Sequence, residues 1–361
     1  MAKTSRIEQF QSLMRIVRRV LLPLGLWPLK QPNFFYRLLP FFMSTVTASA
    51  ACAVINFTIA HRKNIPVMTQ ALGLSLTLTT ITLKLLSCNP NRKCVRILFE
   101  TLSELTNELS KDTVSKHLIS GKFVIGRRLS FALTYITFTS VVAYMLTPII
   151  FIIFQLQHGV HPITFKLVMA AKYPWSISSP SFLYFCHYTM EVIALSNAII
   201  VTCGLDTYFM LCILQISWKF RAMSYRFYNM KDGDDYNATV QDCLKDYKKL
   251  LKCRDNIEKI FGPLTLWLLI SSAVVLCSNM FQISKIKSLS VKQIYNFALY
   301  LGARSLQLFI YTWSGSVITI ESEKFRDAVY ASNWPATGQR KFMTSILIML
   351  TQKPLVISAC S

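Results

Sequence analysis

Charge is costly inside the long apolar stretches of this sequence, and two of the ionisable residues found there lie at a similar distance from the ends of their stretches. Glu191 and Arg304 lie ten and eleven residues after Ser181 and Gln293, at which the two stretches begin. Both starting points are predicted to lie on the same side of the membrane. At about 1.5 Å per helical residue, both would lie roughly 15 Å deep in a membrane. An ionisable side chain at that depth costs at least about 2.5 kcal/mol unless it is paired or hydrated. We therefore predict an ion pair between two helices, the alternative being that each residue faces a watery cavity.

Other residues that could take part in catalysis or metal binding form weaker patterns. The chain has no Gly-rich phosphate loop, no paired metal-binding histidines and no serine nucleophile elbow. His158 and His161 lack a nearby acidic residue, and Asp232, Asp234 and Asp235 lack the bidentate acid that completes a calcium loop. We expect no catalytic residue, no metal and no cofactor, and therefore no enzyme.

Long apolar segments dominate the sequence. Of 361 residues, 53% are hydrophobic and 16% charged, and several runs exceed the about 20 residues that a helix needs to cross a bilayer. Transmembrane β-barrels have short alternating strands instead. The sequence predicts an all-α membrane protein, a seven-transmembrane-type helical bundle forming one polytopic domain over 1–361. The predicted spans are 38–60, 65–86, 129–156, 181–216, 260–284 and 293–320, with 342–361 as an incomplete seventh segment.

The distribution of basic residues predicts orientation. The net charge of +22 could indicate nucleic-acid binding, but alternate connections are basic: 1–37, 87–128, 219–259 and 321–341 hold 29 Lys and Arg, and the other connections hold seven. Basic loops stay cytoplasmic during insertion. We therefore expect a cytoplasmic N-terminal segment over 1–37, membrane lipid as a partner and no nucleic acid.

The predicted cytoplasmic connections contain helices. Apolar residues recur at helical spacing in 87–128, which indicates an amphipathic helix below the membrane. Residues 242–259 are predicted to continue directly into the fifth span, and the fourth apolar run to form one protruding helix with Asp206 near its inner boundary. The amphipathic face comprises Val95, Leu98, Leu102, Leu105 and Leu109.

A series of motifs resembles the insect odorant receptor family. The N-terminal LGLWP at 24–28, the YPW at 173–175 and the Ser-Pro at 179–180 are similar to family patterns. The strongest resemblance is QLFIYTWSGSVITIESEKFRDAVYASNW, followed by QRKFMTSILIMLTQKPL. In this stretch the recurring residues are Gln307, Phe309, Tyr311, Gly315, Ser322, Glu323, Ala328, Tyr330 and Trp334.

The resemblance implies a function and its partners. The chain would be the odour-tuning subunit of a ligand-gated nonselective cation channel, in a heterotetramer with a shared co-receptor, in the plasma membrane of olfactory sensory neurons. A small volatile organic ligand would bind among the outer halves of spans two, three, four and six, and cytoplasmic helix extensions would pack the subunits. Candidate ligand residues, for which interhelical packing is an equal alternative, are Leu72, Tyr144, Met145, Tyr188 and Tyr300; candidate packing residues are Ser322, Glu323, Tyr330 and Trp334.

The sequence also departs from the family pattern. Tyr247 stands where the family often has His, and the chain stops at Ser361 although the family continues beyond the equivalent of Pro354 into a pore-lining helix. We therefore expect a C-terminally truncated sequence. The alternatives are a gustatory receptor, a membrane transporter or a G-protein-coupled receptor, the last of which would have its N-terminus outside.

Overall fold

The described part of the chain is helical, as the composition predicts. The computed structural model describes residues 6–29, 31–111, 121–160, 162–175, 177, 181–230, 236–285, 291–332, 340–351 and 353–358. Its α-helices are α1 Arg6–Leu21, α2 Phe34–Ala60, α3 Ile65–Cys88, α4 Arg92–Lys111, α5 Lys122–Gln157, α6 Phe182–Val201, α7 Thr207–Tyr228, α8 Tyr236–Lys285, α9 Val291–Ala331 and α10 Arg340–Thr351.

Five helical segments of the described residues are long and apolar enough to cross a membrane. They are Phe34–Ala60, Ile65–Cys88, Lys122–Gln157, Phe182–Tyr228 and Asn237–Ser284, and they coincide with the first five predicted spans. The sixth predicted span lies within α9, whose 41 residues give it ample length. The 12 residues of α10 extend only about 18 Å and are too short to cross a hydrocarbon core of about 30 Å.

The fourth apolar run forms one continuous helical segment, as predicted. A π-helical stretch, Thr202–Asp206, joins α6 to α7. Such stretches accommodate an extra residue per turn and are frequent at functional sites. Here the stretch also packs closely against α1, since a Cβ on Gly204 would lie 2.5 Å from the Leu21 side chain. Glycine at this position therefore permits α1 to pack directly against the bundle.

The interior is divided between two apolar cores within the described residues. The larger core surrounds α7, most of whose residues are buried, and includes side chains of α1, α4, α8 and α9. A smaller core on the predicted outer side includes Val54, Leu78, Val141 and Leu195. All five apolar residues of the predicted amphipathic face on α4 are buried in the larger core, so that prediction is confirmed.

Gly25 shapes the turn that connects α1 to α2 within the LGLWP motif. Its φ is +68°, a left-handed conformation, and a Cβ there would lie 2.6 Å from the Tyr36 carbonyl oxygen. The Tyr36 hydroxyl in turn donates to the Trp27 carbonyl oxygen at 2.9 Å. The motif therefore has a structural role, which is to hold the amphipathic α1 beside the first span.

Replacement of Gly25 by alanine is expected to destabilise the fold. A left-handed conformation costs an L-residue about 1–2 kcal/mol, and the contact with a backbone carbonyl adds to this, so Gly25→Ala should lose about 2 kcal/mol or more. The matched control is Gly302→Ala, since a Cβ on Gly302 meets no heavy atom within 4 Å and alanine favours helix by about 0.5–1 kcal/mol. Thermal unfolding of the purified variants measures both. Equal stability of the two variants would contradict the role given to Gly25.

Candidate functional site

A cavity of about 290 Å³ opens between the predicted outer halves of the membrane helices. Its wall comes from α3, α5, α6, α8 and α9, and its volume is that of about ten water molecules at about 30 Å³ each. Apolar groups such as Leu133, Val141 and Phe297 form much of the lining. The cavity therefore has room for a small organic molecule and the apolar character to bind one.

The cavity includes two of the five predicted ligand residues. Tyr144 and Tyr300 line it, whereas Leu72, Met145 and Tyr188 do not. Met145 and Tyr188 pack against the smaller apolar core. Leu72 precedes Gly73, a lining residue, and successive helical residues point in different directions. Similar depth in the membrane was therefore not enough to place these three side chains on the cavity wall.

Helix α8 contributes lining residues that the resemblance did not indicate. Asn279 and Gln282 are amides in the otherwise apolar fifth span, and both line the cavity. Asn279 is 7% exposed, and its Nδ2 has no hydrogen-bond partner among the described residues. The signal that could have found them is the occurrence of two amides within four residues near the outer end of a predicted span.

Helices α3 and α9 approach closely at the cavity wall. The Tyr300 hydroxyl donates to the Gly73 carbonyl oxygen at 2.5 Å and lies 3.0 Å from Thr77 Oγ1. Arg304 Nη2 donates to the same Thr77 oxygen at 2.6 Å, and Arg304 Nη1 donates to Gln307 Oε1 at 3.3 Å. These bonds hold the Arg304 guanidinium against α3 at the cavity wall.

A buried ionic network lies next to Arg304. Lys84 Nζ lies 2.5 Å from Asp206 Oδ1, to which the Tyr311 hydroxyl donates at 2.8 Å. Gln307 Nε2 donates to Asp206 Oδ2 at 2.7 Å. Since Gln307 also accepts from Arg304, it links that guanidinium to the Asp206 carboxylate. Burial of a charge requires such pairing and hydrogen bonding, and Asp206 at the end of the π-helical stretch has both.

The predicted ion pair between Glu191 and Arg304 is not formed. The Glu191 carboxylate accepts from the Met169 backbone N–H at 2.9 Å and from the Tyr173 hydroxyl at 3.0 Å. Because these donors of the preceding loop, which is predicted to lie outside, satisfy Glu191, it fastens that loop to α6. The interhelical ion pair of this region is Lys84 with Asp206, and a lysine inside the second predicted span was the available signal.

The YPW motif belongs to the same loop. Trp175 Nε1 donates to His187 Nε2 at 3.2 Å, and the Tyr173 and His187 rings pack edge to face with centroids 4.4 Å apart. His187 Nδ1 lies 2.7 Å from the Leu183 carbonyl oxygen. The motif thus covers the N-terminal part of α6 next to Glu191.

The predicted subunit-packing residues differ in exposure. Ser322 is buried, and its Oγ accepts from the Leu355 backbone N–H at 2.8 Å, so it holds the segment after α10 within this chain and is not available to a second subunit. Glu323 is exposed and Tyr330 is 72% exposed. Trp334 lies outside the described residues.

The weaker polar patterns give no site in the described chain. His158 Nδ1 lies 2.9 Å from the Phe154 carbonyl oxygen at the end of α5. His161, Asp232, Asp234 and Asp235 lie outside the described residues. Where side chains are described, no group of three or more potential ligands is arranged for a metal ion.

Comparison with known sequences decides the family. Residues 64–361 match the sequence model of the 7tm Odorant receptor family. The chain belongs to this family. It is 25% identical over 225 residues to Odorant receptor 82a of Drosophila melanogaster, covering 60% of this chain and 56% of that one. It is 22% identical over 215 residues to Odorant receptor 33b of the same organism, covering 58% and 55%. This odorant receptor chain thus spans about half the length of the curated relatives it matches.

Comparison with solved structures gives the same fold. The insect olfactory receptor OR5 from Machilis hrabei superposes with a TM-score of 0.75 at 14% identity, over 97% of this chain and 92% of that chain. The structure of the same receptor in complex with eugenol superposes with a TM-score of 0.74, over the same shares. The predicted all-helical membrane class and the resemblance to insect odorant receptors are therefore confirmed.

Proposed function

We propose that this odorant receptor is the odour-binding subunit of a ligand-gated nonselective cation channel. It would bind small volatile hydrophobic molecules and work with a shared co-receptor in a heterotetramer, in the plasma membrane of olfactory sensory neurons. The observation that carries the proposal is the cavity between α3, α5, α6, α8 and α9. Family membership and the eugenol complex of a receptor with the same fold support it.

The size and chemistry of the cavity favour a volatile ligand. Its volume of about 290 Å³ lies at the lower limit of pockets for drug-sized molecules, which range from about 300 to 1,000 Å³. The lining combines aliphatic and aromatic groups with hydroxyls, amides and one guanidinium. Apolar contacts would supply most of the binding free energy, and the polar groups would orient the ligand.

The proposal is tested by recording currents from cells that express this chain with the shared co-receptor. Cells expressing the co-receptor alone are the control, and surface labelling confirms delivery of the chain. We expect a panel of small volatiles to evoke currents that require this chain. A chain that reaches the surface and leaves every response unchanged would contradict the proposal.

Filling the cavity should reduce sensitivity to the ligand. Ala303 lines the cavity on α9. With a ligand bound, the larger side chain of Ala303→Leu would overpack the cavity, at a cost of about 1–3 kcal/mol. We expect the concentration of an activating volatile for half-maximal current to rise about tenfold or more.

Ala298 provides a matched control on the same helix, because it is exposed and absent from the cavity wall. Ala298→Leu should retain the wild-type concentration dependence. Similar losses in both variants at equal surface expression would indicate a general effect on α9 and would contradict ligand binding at this cavity.

A further inference from the structure

The hydrogen-bonding groups of the cavity favour one chemical class of ligand. The Ser140 hydroxyl donates to the Ile136 carbonyl oxygen at 2.8 Å and the Tyr300 hydroxyl to the Gly73 carbonyl oxygen. These two lining hydroxyls therefore already donate their hydrogen bonds to backbone carbonyl oxygens. Arg304 and Asn279 also line the cavity, and Asn279 Nδ2 has no hydrogen-bond partner among the described residues.

Arg304 is the charged donor of the cavity wall. A guanidinium has five N–H donors. Two of those of Arg304 donate to Thr77 and Gln307. The side chain is 4% exposed, and no carboxylate within the described residues pairs with it. Both neighbours are neutral side chains, so they orient the guanidinium without compensating its charge.

The neighbouring ionic network leaves the positive charge of Arg304 in excess. Among the described residues, Asp206 is the single carboxylate of the network, and Lys84 lies against it at 2.5 Å. Lys84, Arg304 and Asp206 are all nearly inaccessible to solvent. With two cations and one anion, the network has a net positive charge in a region of low dielectric, where electrostatic interactions are strong. An oxygen acceptor in the cavity would stabilise this charge.

Asn279 adds a second donor from another helix. Its Nδ2 is buried and unpartnered among the described residues, and leaving a buried donor unsatisfied is unfavourable. Asn279 lies on α8, near the predicted outer end of the fifth span, whereas Arg304 lies deeper on α9. The donors therefore come from two walls of the cavity.

We propose that the cavity selects ligands with a carbonyl-type oxygen, for which Arg304 and Asn279 supply the hydrogen-bond donors. This rests on the proposed function, because it assigns a ligand class to the same cavity. Ketones, aldehydes and esters carry such an oxygen as neutral molecules, and carboxylates carry it with a charge. Hydrocarbons of the same shape would fill the cavity and accept no hydrogen bond from either residue.

The test uses three ligands with equal numbers of non-hydrogen atoms. In 2-octanone the acceptor is a neutral carbonyl, in heptanoate it is a carboxylate, and in 2-methyl-1-octene a methylene group replaces the carbonyl oxygen. Each is applied to wild-type chain co-expressed with the co-receptor while currents are recorded. Each is also added to the purified complex, and ligand-induced thermal stabilisation is measured, which does not depend on channel opening.

Variants assign the selectivity to the two donors. For Asn279→Leu we expect the half-maximal concentration of the preferred oxygenated ligand to rise about tenfold relative to that of 2-methyl-1-octene, as for a hydrogen bond of about 1–1.5 kcal/mol. For Arg304→Met the relative rise should reach about tenfold to hundredfold, because bonds to charged groups are stronger. Asn279 has no bond to the ionic network among the described residues, so Asn279→Leu tests the proposal even if Arg304→Met fails to fold.

The outcomes distinguish the proposal of a carbonyl-selective cavity from the proposal that the chain is a receptor subunit. Wild-type preference for heptanoate identifies an anionic ligand, preference for 2-octanone identifies a neutral one, and either supports the carbonyl-type class. If 2-methyl-1-octene were as potent as the oxygenated ligands, the cavity would not be carbonyl-selective. The same would follow if the half-maximal concentrations of all three ligands shifted equally in both variants. Neither result would contradict the receptor function. If an oxygenated ligand selectively stabilised the purified complex but evoked no current, the carbonyl-selective cavity would be supported and the ligand-gated channel function contradicted.

Discussion

Replacing Asp206 with asparagine is expected to be the most damaging single change in the predicted membrane region. The new amide oxygen could still accept from Gln307 or Tyr311, but Lys84 would lose the only carboxylate within ion-pair distance among the described residues. Breaking a buried ion pair by removing one partner costs roughly 3–5 kcal/mol. We therefore expect Asp206→Asn to lose a large part of the stability of a typical domain, which is about 5–15 kcal/mol.

The charge of Arg304 makes the two halves of this ion pair unequal. Without the Asp206 carboxylate, the buried cations Lys84 and Arg304 would be left together with no anion in the described network. Lys84→Met would instead leave Asp206 linked through Gln307 to Arg304, so the network would contain one cation and one anion. Lys84→Met should therefore cost less than Asp206→Asn, although both disturb the same contact.

Thermal unfolding of the purified variants and their surface expression in cells test this order. Lys245→Met is a suitable control, because its pair with Asp242 joins side chains that are 72% and 62% exposed, and such pairs contribute about 0–1 kcal/mol. We expect stability to decrease in the order Lys245→Met, Lys84→Met, Asp206→Asn. If Lys84→Met were the more harmful of the two buried changes, the positive charge assigned to the network would be wrong.

Helical segments could be predicted from the sequence because each depends on local patterns. Run length indicates a membrane helix, and the 3.6-residue period placed the Leu98 and Leu102 face of α4 in the core. Absence of a proline or polar turn near Gly204 was enough to predict one continuous segment from α6 through α7. These properties belong to a single helix and require no knowledge of its neighbours.

Partner choice within the site could not be predicted in the same way. Glu191 and Arg304 have similar predicted depths, yet helix rotation and the loop before α6 decide what each side chain contacts. The Tyr173 hydroxyl of that loop donates to Glu191. The same limitation applies to Met145 and Tyr188, which have suitable depth and pack against a core. Depth follows from counting residues along one helix, whereas contacts depend on the azimuth of two helices at once.

Glu321 is the second position where a single change should have a large effect. Its side chain is 2% exposed and lies just beyond the sixth predicted span, within the ESEKF sequence of the family-like stretch. Arg221 Nη2 donates to Oε1 at 2.6 Å and Nε to Oε2 at 3.3 Å, and Lys122 Nζ donates to Oε1 at 2.9 Å. One carboxylate thus joins α9 to α7 and α5 at the predicted cytoplasmic layer.

Glu321→Gln is expected to cost about 1.5–3 kcal/mol, the range for hydrogen bonds to charged groups. The cost should stay below that of Asp206→Asn, because Arg221 and Lys122 are 28% and 27% exposed and remain partly hydrated. The matched control is Glu323→Gln on the same helix, since Glu323 is exposed. Thermal unfolding at neutral pH compares the two, and similar losses would contradict the role of Glu321 in joining the helices.

Acid pH should reveal the same contact independently. Burial raises the pKa of Glu321, but the bonds from Arg221 and Lys122 outweigh burial and hold that pKa below its ordinary value. A carboxylate with a lowered folded-state pKa contributes stability above its unfolded pKa, about 4.3, and loses that contribution as the pH falls through the folded value. The stability difference between wild type and Glu321→Gln should therefore be constant from about pH 5 to 8 and shrink below about pH 4. A difference that persisted undiminished in acid would show that the charge of Glu321 is not what holds α5, α7 and α9 together.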